Sequence, residues 1–438
     1  MNPPANSPSM KTFQRHESSV RSYVRAFPAV FDKARGSRMY DDQGRMYLDF
    51  FSGAGALNYG HNDPKLKEPL LEYVAGDGIT HSLDMATKAK QAFIERFQAV
   101  VLEPRGLSYK FLFPGPTGTN AIEAALKLAR KSTGRTGVVA FEGGFHGMTL
   151  GALSITSNAM KREGAGLPLE NADLLPFDGD SRGGVDSLSF LRRSLRQAAA
   201  ANELPAAIVL ETVQCEGGVR VASNKWLRGV EQACRDLGVL LIVDDIQAGC
   251  GRTGKFFSFE EAGLRPDIVC LSKSLSGLGL PLALVLVREE LDVFRPGEHN
   301  GTFRGHNPAF VTATAALDYW ADDVLEEAVR QKSNLLRDHL EGIVEINDGV
   351  KATVRGRGMV QGVAFDDPTI AGAISAECFK RGLIIETAGH KDEVLKFLPA
   401  LTIDRDTLKA GLAVVRESLH VVIRDLASEP VLAHGGKA

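Results

Sequence analysis

Six short runs between Tyr109 and Val287 are almost continuously apolar: YKFLF (109–113), GVVAF (137–141), AAIVLE (206–211), GVLLIVDD (238–245), DIVCLSK (267–273) and LALVLV (282–287). A strand with one face in water alternates polar and apolar side chains, whereas continuous runs belong to strands covered on both faces. Helical stretches such as NAIEAALKLARKS (120–132) and NKWLRGVEQACRD (224–236) fall between the runs. This repetition predicts an α/β unit with a mainly parallel sheet and helices on both faces. Ligands in such sheets bind where the strands end.

The pattern changes after about residue 320. DVLEEAVRQKSNLLRDHLEGIVE (323–345) predicts a long charged amphipathic helix, followed by shorter strand and helix units through VRGRGMVQGVAF (354–365) and VLKFLPAL (394–401). VFDKARGSRMYDDQGRMYLDF predicts two short strands around a DDQG turn near the other end. Both chain ends are therefore expected to build one smaller α+β domain, from residues 10–55 and 321–428. Residues 56–320 form the large domain, and 1–9 and 429–438 are loose tails.

Charge and cysteine usage exclude whole classes. The 438 residues carry a net charge of −3, so no basic field favours nucleic acid or an anionic membrane. No apolar run reaches the ~18 residues that a membrane span needs, and MNPPANSPSMK lacks the apolar core of a secretory signal. The five cysteines are odd in number and show no CxxC, which predicts neither a disulfide framework nor a metal site. The expected compartment is the reducing cytoplasm.

Several motifs carry chemistry. GPTGTNAIEAALKLAR (115–130) sets a Gly/Thr turn at a helix start, where free N–H groups and the helix dipole attract phosphate. IVDDIQAGCGRTG ends a buried strand on Asp244 and Asp245. A buried carboxylate needs a cationic partner or donors, and a protonated ring nitrogen would serve. DIVCLSKSLSG ends another strand near Lys273, where desolvation can lower an amine's proton affinity as a Schiff-base lysine requires. GGFHG (143–147) offers Phe145 to stack on a planar ring, with His146 beside it, and ETVQCEGG places Glu211 and Glu216 about a turn.

In order and spacing, GPTGTNAIEAALKLAR, GGFHG, ETVQCEGG, DDIQAGCGRTG, LSKSLSG and GTFRGHN resemble class III aminotransferases, pyridoxal-phosphate enzymes of fold type I. The resemblance runs from GAGALNYGHNDP (53–64) to LKFLPAL (395–401). It implies pyridoxal 5′-phosphate bound covalently through Lys273, with Asp244 at the pyridinium nitrogen and Gln247 near the ring hydroxyl. Gly118 and Thr119 would cradle the phosphate, Phe145 would stack on the ring, and His146 and Glu211 would complete the cofactor-binding set. Thr302 would reach the phosphate of a neighbouring subunit, so at least a homodimer is implied. Glu216 would pair with a C-terminal cation that reads a substrate carboxylate. That cation is an arginine in many relatives and Lys396 here, and a lysine lacks the bidentate fork. Arg304, where many members have Gly, is the alternative carboxylate contact. Asp245 replaces a more usual Glu, and Cys215 a more usual Gly.

KTFQRHESSVRSYVRAFPAVFDKA, DGITHSLDMAT, EPRGLSYK and PGEHNGTFRG resemble more closely the diaminobutyrate-forming subgroup that opens ectoine synthesis. The resemblance implies L-glutamate as amino donor and the aldehyde of L-aspartate 4-semialdehyde as acceptor, giving 2-oxoglutarate and L-2,4-diaminobutyrate. Other class III ω-aminotransferases, acting on ornithine, GABA or a diamine, stay open, as do diaminobutyrate enzymes of siderophore or ectoine-catabolic metabolism. A cofactor-dependent aminomutase would need no external donor. A cofactor-binding regulator would need a DNA-binding segment, for which the chain has no spare stretch.

Overall fold

The computed structural model describes residues 8–345 and 350–428. Residues 1–7 and 429–438 of the expected tails lie outside these, while Pro8 and Ser9 open a helix, Pro8–His16.

All six apolar runs contain strands of one seven-stranded sheet. In chain order its strands are β1 (Lys110–Leu112), β2 (Val138–Phe141), β3 (Ala172–Leu175), β4 (Ala207–Leu210), β5 (Leu240–Asp244), β6 (Ile268–Leu271) and β7 (Leu284–Val287). Their spatial order is β3-β2-β4-β5-β6-β7-β1. Neighbours from β3 to β6 pair in parallel, and β7 runs antiparallel to both β6 and β1. The sequence pattern missed β3: ADLL is short, carries Asp173, and sits at the sheet edge with only part of it buried.

The continuous apolar runs have a direct cause in the packing. Val139, Ile208, Leu241, Val243, Val269 and Leu271 join one core cluster, while Val138, Ala207, Ile242, Ile268 and Cys270 join another. Successive residues thus point to opposite faces, and both faces are covered. Each fully buried Val, Leu or Ile contributes about 1.5–3 kcal/mol. Helix Gly118–Thr133 covers the second face through Ala121, Ile122, Ala125, Leu128 and Ala129.

The N-terminal region forms three strands rather than the expected two: Phe31–Arg35, Arg38–Asp41 and Met46–Asp49. The DDQG turn joins the last two, and the extra strand begins inside the stretch assigned to the first. Met46–Asp49 pairs in parallel with Leu383–Ile384, close to the C-terminal end of the chain. A four-stranded antiparallel sheet follows, in the order Ala352–Arg357, Val360–Phe365, Val394–Phe397, Glu386–Ala388. The amphipathic helix Val324–Glu345 lies where its pattern predicts.

One side chain ties distant pieces together. Arg252 is fully buried and donates to Asn58 Oδ1 at 2.6 Å, to the Met359 carbonyl at 3.0 Å and to the Pro399 carbonyl at 2.6 Å. Burial pushes its pKa down to about 10, so the three acceptors are what keep this cation inside.

Candidate active site

Strands β4, β5 and β6 point their C-terminal ends at one cavity of about 280 Å³. Its walls hold Gly118, Thr119, Phe145, His146, Glu211, Glu216, Asp244, Gln247 and Lys273, all expected from sequence. Thr117, Gly147, Met148 and Ile246 complete the lining.

Lys273 follows β6 and starts a short 3₁₀ turn, Lys273–Ser276, with a left-handed φ of 49°. That conformation costs a non-glycine residue about 1–2 kcal/mol. Hydrogen bonds on either side hold it: Ser272 donates to the Leu282 carbonyl at 2.7 Å and Ser274 to the Gly55 carbonyl at 2.6 Å. The Lys273 pKa is lowered, first by desolvation and also by the charge of Lys396, against the pull of Glu216. A depressed amine is a better nucleophile and proton carrier near neutral pH.

Asp244 sits at the end of β5 and is buried. Its Oδ1 accepts from the Ile246 N–H at 3.1 Å, and its Oδ2 lies 2.7 Å from His146 Nδ1. Burial opposes a charge on His146, but Asp244 and Glu211 outweigh it and the imidazole pKa is raised. Glu211 accepts the Phe145 N–H at 3.1 Å. Burial pushes its carboxyl up to about 8. Asp245 points away from the cavity lining, accepts the Ser258 N–H at 3.1 Å, and is pushed up to about 7, again by burial.

The turn between strands Val213–Gln214 and Arg220–Val221 presents Glu216. It fits only without a side chain at Gly217, where a Cβ would stand 2.1 Å from the Gly143 carbonyl oxygen of the GGFHG turn. Cys215 is buried in this turn, with Sγ 3.5 Å from the Val213 carbonyl. Glu216 accepts from Lys396 Nζ at 2.7 Å and from Gln247 Nε2 at 3.1 Å. Lys396 is fully buried, and a second carboxylate, Glu386, lies 2.9 Å from its Nζ. Glu386 Oε1 receives no well-directed hydrogen bond. Burial would strip the proton from Lys396, but the two carboxylates outweigh it and its pKa is raised. Burial also disfavours charge on Glu216, yet Lys396 and Lys273 pull its pKa down to about 2. Burial wins for Glu386, which is pushed up to about 7. Sequence reasoning missed Glu386; the only signal was its place in IIETAG, one hairpin before VLKF.

Besides Lys396, which lies behind Glu216 and outside the lining, two expected residues lie elsewhere. Thr302 and Arg304 belong to a short 3₁₀ turn and do not line the cavity of their own chain. Thr302 is exposed. Arg304 is tied to Asp84 at 2.7 Å and to the His299 carbonyl at 2.8 Å, so within this chain its guanidinium is already engaged.

The walls fit pyridoxal phosphate. Helix Gly118–Thr133 starts with no side-chain cap, leaving its first N–H groups for a phosphate. Gly118 packs against Ile246, where a Cβ would stand 3.0 Å from Cγ2. Gln247 Nε2 donates to the Ala54 carbonyl at 2.7 Å while its buried Oε1 has no partner among the described residues, an acceptor suited to a ring hydroxyl. Two hydroxyls are less free than the sequence suggests. Thr117 Oγ1 bonds Asn120 at 2.8 Å, and Thr119 Oγ1 bonds Thr149 at 2.7 Å.

A profile of the aminotransferase class-III family matches residues 19–419. The chain is 55% identical over 414 residues to a diaminobutyrate–2-oxoglutarate transaminase of Halalkalibacterium halodurans, covering 94% of this chain and 97% of that one. It is 54% identical over 407 residues to the transaminase of the same name from Streptomyces coelicolor, covering 92% and 96%. Among solved structures, the ornithine aminotransferase of Toxoplasma gondii superposes with a TM-score of 0.83 at 25% identity over 95% of both chains. A second structure of that protein, at 26% identity and TM-score 0.83 over 95% of this chain and 94% of that one, is described with partial occupancy of PLP at its active site.

Proposed function

The chain belongs to the class-III aminotransferases, which depend on pyridoxal phosphate, and we propose that it moves the amino group of L-glutamate to the aldehyde of L-aspartate 4-semialdehyde. The products are 2-oxoglutarate and L-2,4-diaminobutyrate. The observation that carries the chemistry is the depressed amine of Lys273 in one cavity with the buried Asp244. The choice of substrates rests on the 50–55% identity to enzymes named for diaminobutyrate and 2-oxoglutarate.

Bound pyridoxal phosphate would supply an electron-withdrawing ring that acidifies the substrate carbon giving or receiving the amino group, and would carry that group between half-reactions. Lys273 holds it covalently and, once free, moves a proton to and from the substrate carbon. Asp244 offers the negative charge that keeps the ring nitrogen protonated, and His146 fixes the orientation of that carboxylate. The open start of helix Gly118–Thr133 takes the phosphate. Phe145 covers the ring and Gln247 meets its hydroxyl. Lys396, behind Glu216, reads a carboxylate of glutamate when Glu216 moves aside.

Thr302 serves the neighbouring subunit's cavity in this reading, so the active unit is at least a homodimer. Its exposed position outside its own cavity supports this. A cytoplasmic place in an ectoine-type pathway is supported by five buried free thiols and by the subgroup-like stretches of sequence. Among the described residues no helix is long and apolar enough to cross a membrane.

An amino-acceptor panel with glutamate as donor tests the assignment. Aspartate 4-semialdehyde should be the preferred acceptor. A preference for glutamate 5-semialdehyde or succinate semialdehyde would replace it with an ornithine- or GABA-type activity.

A further inference from the structure

The cation behind Glu216 is held by two acids instead of one. Lys396 and Glu386 face each other directly across adjacent antiparallel strands, Val394–Phe397 and Glu386–Ala388. Their separation is 2.9 Å, and both are buried. Glu216 reaches the same ammonium at 2.7 Å, and it alone of the three lines the cavity. The Glu216 side chain borders the cavity, which gives it space to turn into, whereas Glu386 stands on a paired strand outside the lining. Whenever Glu216 leaves, Lys396 keeps a carboxylate.

We infer that Glu386 is a positioning residue that sets carboxylate specificity, because it stays on Lys396 when Glu216 moves and makes an incoming carboxylate compete for that ammonium. This rests on the reading that Lys396 recognises glutamate. Its consequence is a weakened hold on the donor's carboxylate, with less bias against an acceptor that lacks a carboxylate at that place. An isolated lysine would bind the donor tightly and hold the pocket against the acceptor. The charged and titratable groups around Glu386 are Lys396, Glu216 and Lys273, with the Tyr23 hydroxyl, whose pKa is raised first by burial and then by Glu386 and Glu216. Protonation of Glu386, whose carboxyl is pushed up to about 7, frees Lys396 and should tighten carboxylate binding.

Glutarate, a dicarboxylate that cannot donate an amino group, is the probe. Its binding to the holoenzyme is followed by calorimetry for the unmodified protein, Glu386→Gln, Glu386→Asp and Lys396→Ala. Glu386→Gln keeps the shape and removes the competing charge. It should bind glutarate about tenfold more tightly, on the scale of removing one close competing charge from that ammonium. Glu386→Asp should restore weak binding. The glutamate half-reaction should show a lower KM in Glu386→Gln with little change in its limiting rate. In the unmodified protein glutarate should bind more weakly as pH rises from about 6 to about 8. That slope should vanish in Glu386→Gln, which separates it from the titration of Glu211 nearby. If Lys396→Ala weakens glutarate while Glu386→Gln leaves it unchanged or weaker, the inference falls and the Lys396 assignment stands. If Lys396→Ala leaves glutarate unchanged, both fall. Should Glu386→Gln fail to fold, a flat pH profile in the unmodified holoenzyme overturns the inference.

Discussion

His146 Nδ1 lies 2.7 Å from Asp244 Oδ2, with both side chains buried. The imidazole thereby fixes one carboxylate oxygen, and the backbone N–H of Ile246 fixes the other. Asp244 cannot rotate without breaking both contacts. Asp244→Asn should fold but lose about 3 kcal/mol or more of transition-state stabilisation, the scale of one preorganised electrostatic contact. Steady-state turnover with circular dichroism as a fold control checks this. Near-native turnover would point to a different acid.

Lys273→Ala should lose turnover and the visible absorbance of a lysine-bound cofactor, while keeping its melting profile. The left-handed φ of 49° adds a structural corollary. Lys273→Gly should relieve about 1–2 kcal/mol of backbone strain while still being inactive. Urea midpoints of the two variants read out the difference, and equal midpoints would mean the turn is not strained.

Glu211 gives a pH dependence with a definite sign. Its carboxyl is pushed up to about 8, so the folded state holds this proton more tightly than the unfolded chain does. The resulting stability is present in full below the ordinary carboxylate range and is lost as pH rises through about 8. Asp245 and Glu386, each pushed up to about 7, act in the same direction. Glu211→Gln should therefore melt later than the unmodified protein at about pH 8, by on the order of 1–3 kcal/mol, and resemble it at about pH 4. Parallel melting curves at both pH values would exclude Glu211 as a source.

Thr302→Ala should weaken cofactor retention by roughly fivefold, about one neutral hydrogen bond, while Arg304→Ala should affect the glutamate half-reaction less than Lys396→Ala does. Dialysis against excess semicarbazide and separate half-reaction kinetics measure the two effects. Light scattering should find at least a dimer at assay concentration. A fully active monomer would remove Thr302 from the cavity of any neighbour.

The central sheet was legible because burial on both faces leaves an unmistakable composition in Val138–Phe141, Leu240–Asp244 and Ile268–Leu271. Its edge strand Ala172–Leu175, half in solvent, left no such trace. Lys273 and Asp244 could be singled out because each follows an apolar run, where a charged group has few reasons to stand. Glu386 escaped for the opposite reason. Its meaning lies in its cross-strand partner Lys396, and that register depends on a hairpin whose geometry a single sequence does not reveal. Arg304 drew attention as a cation where many class members have Gly, but its partner Asp84 is remote in sequence.

The three anchors of Arg252 also bear on how the chain is made. Asn58 is synthesised long before Arg252, but the carbonyl of Pro399 leaves the ribosome long after it. Until then the guanidinium has only Asn58 and Met359 of its three acceptors, and a partly satisfied cation resists burial. The sheet that carries Asp244 and Lys273 can form earlier, yet the wall holding Lys396 and Glu386 arrives together with Pro399. Nascent or truncated chains ending before residue 399 should therefore bind chaperones, and ribosome-stalled chains of graded length should gain protease resistance only once that segment has emerged.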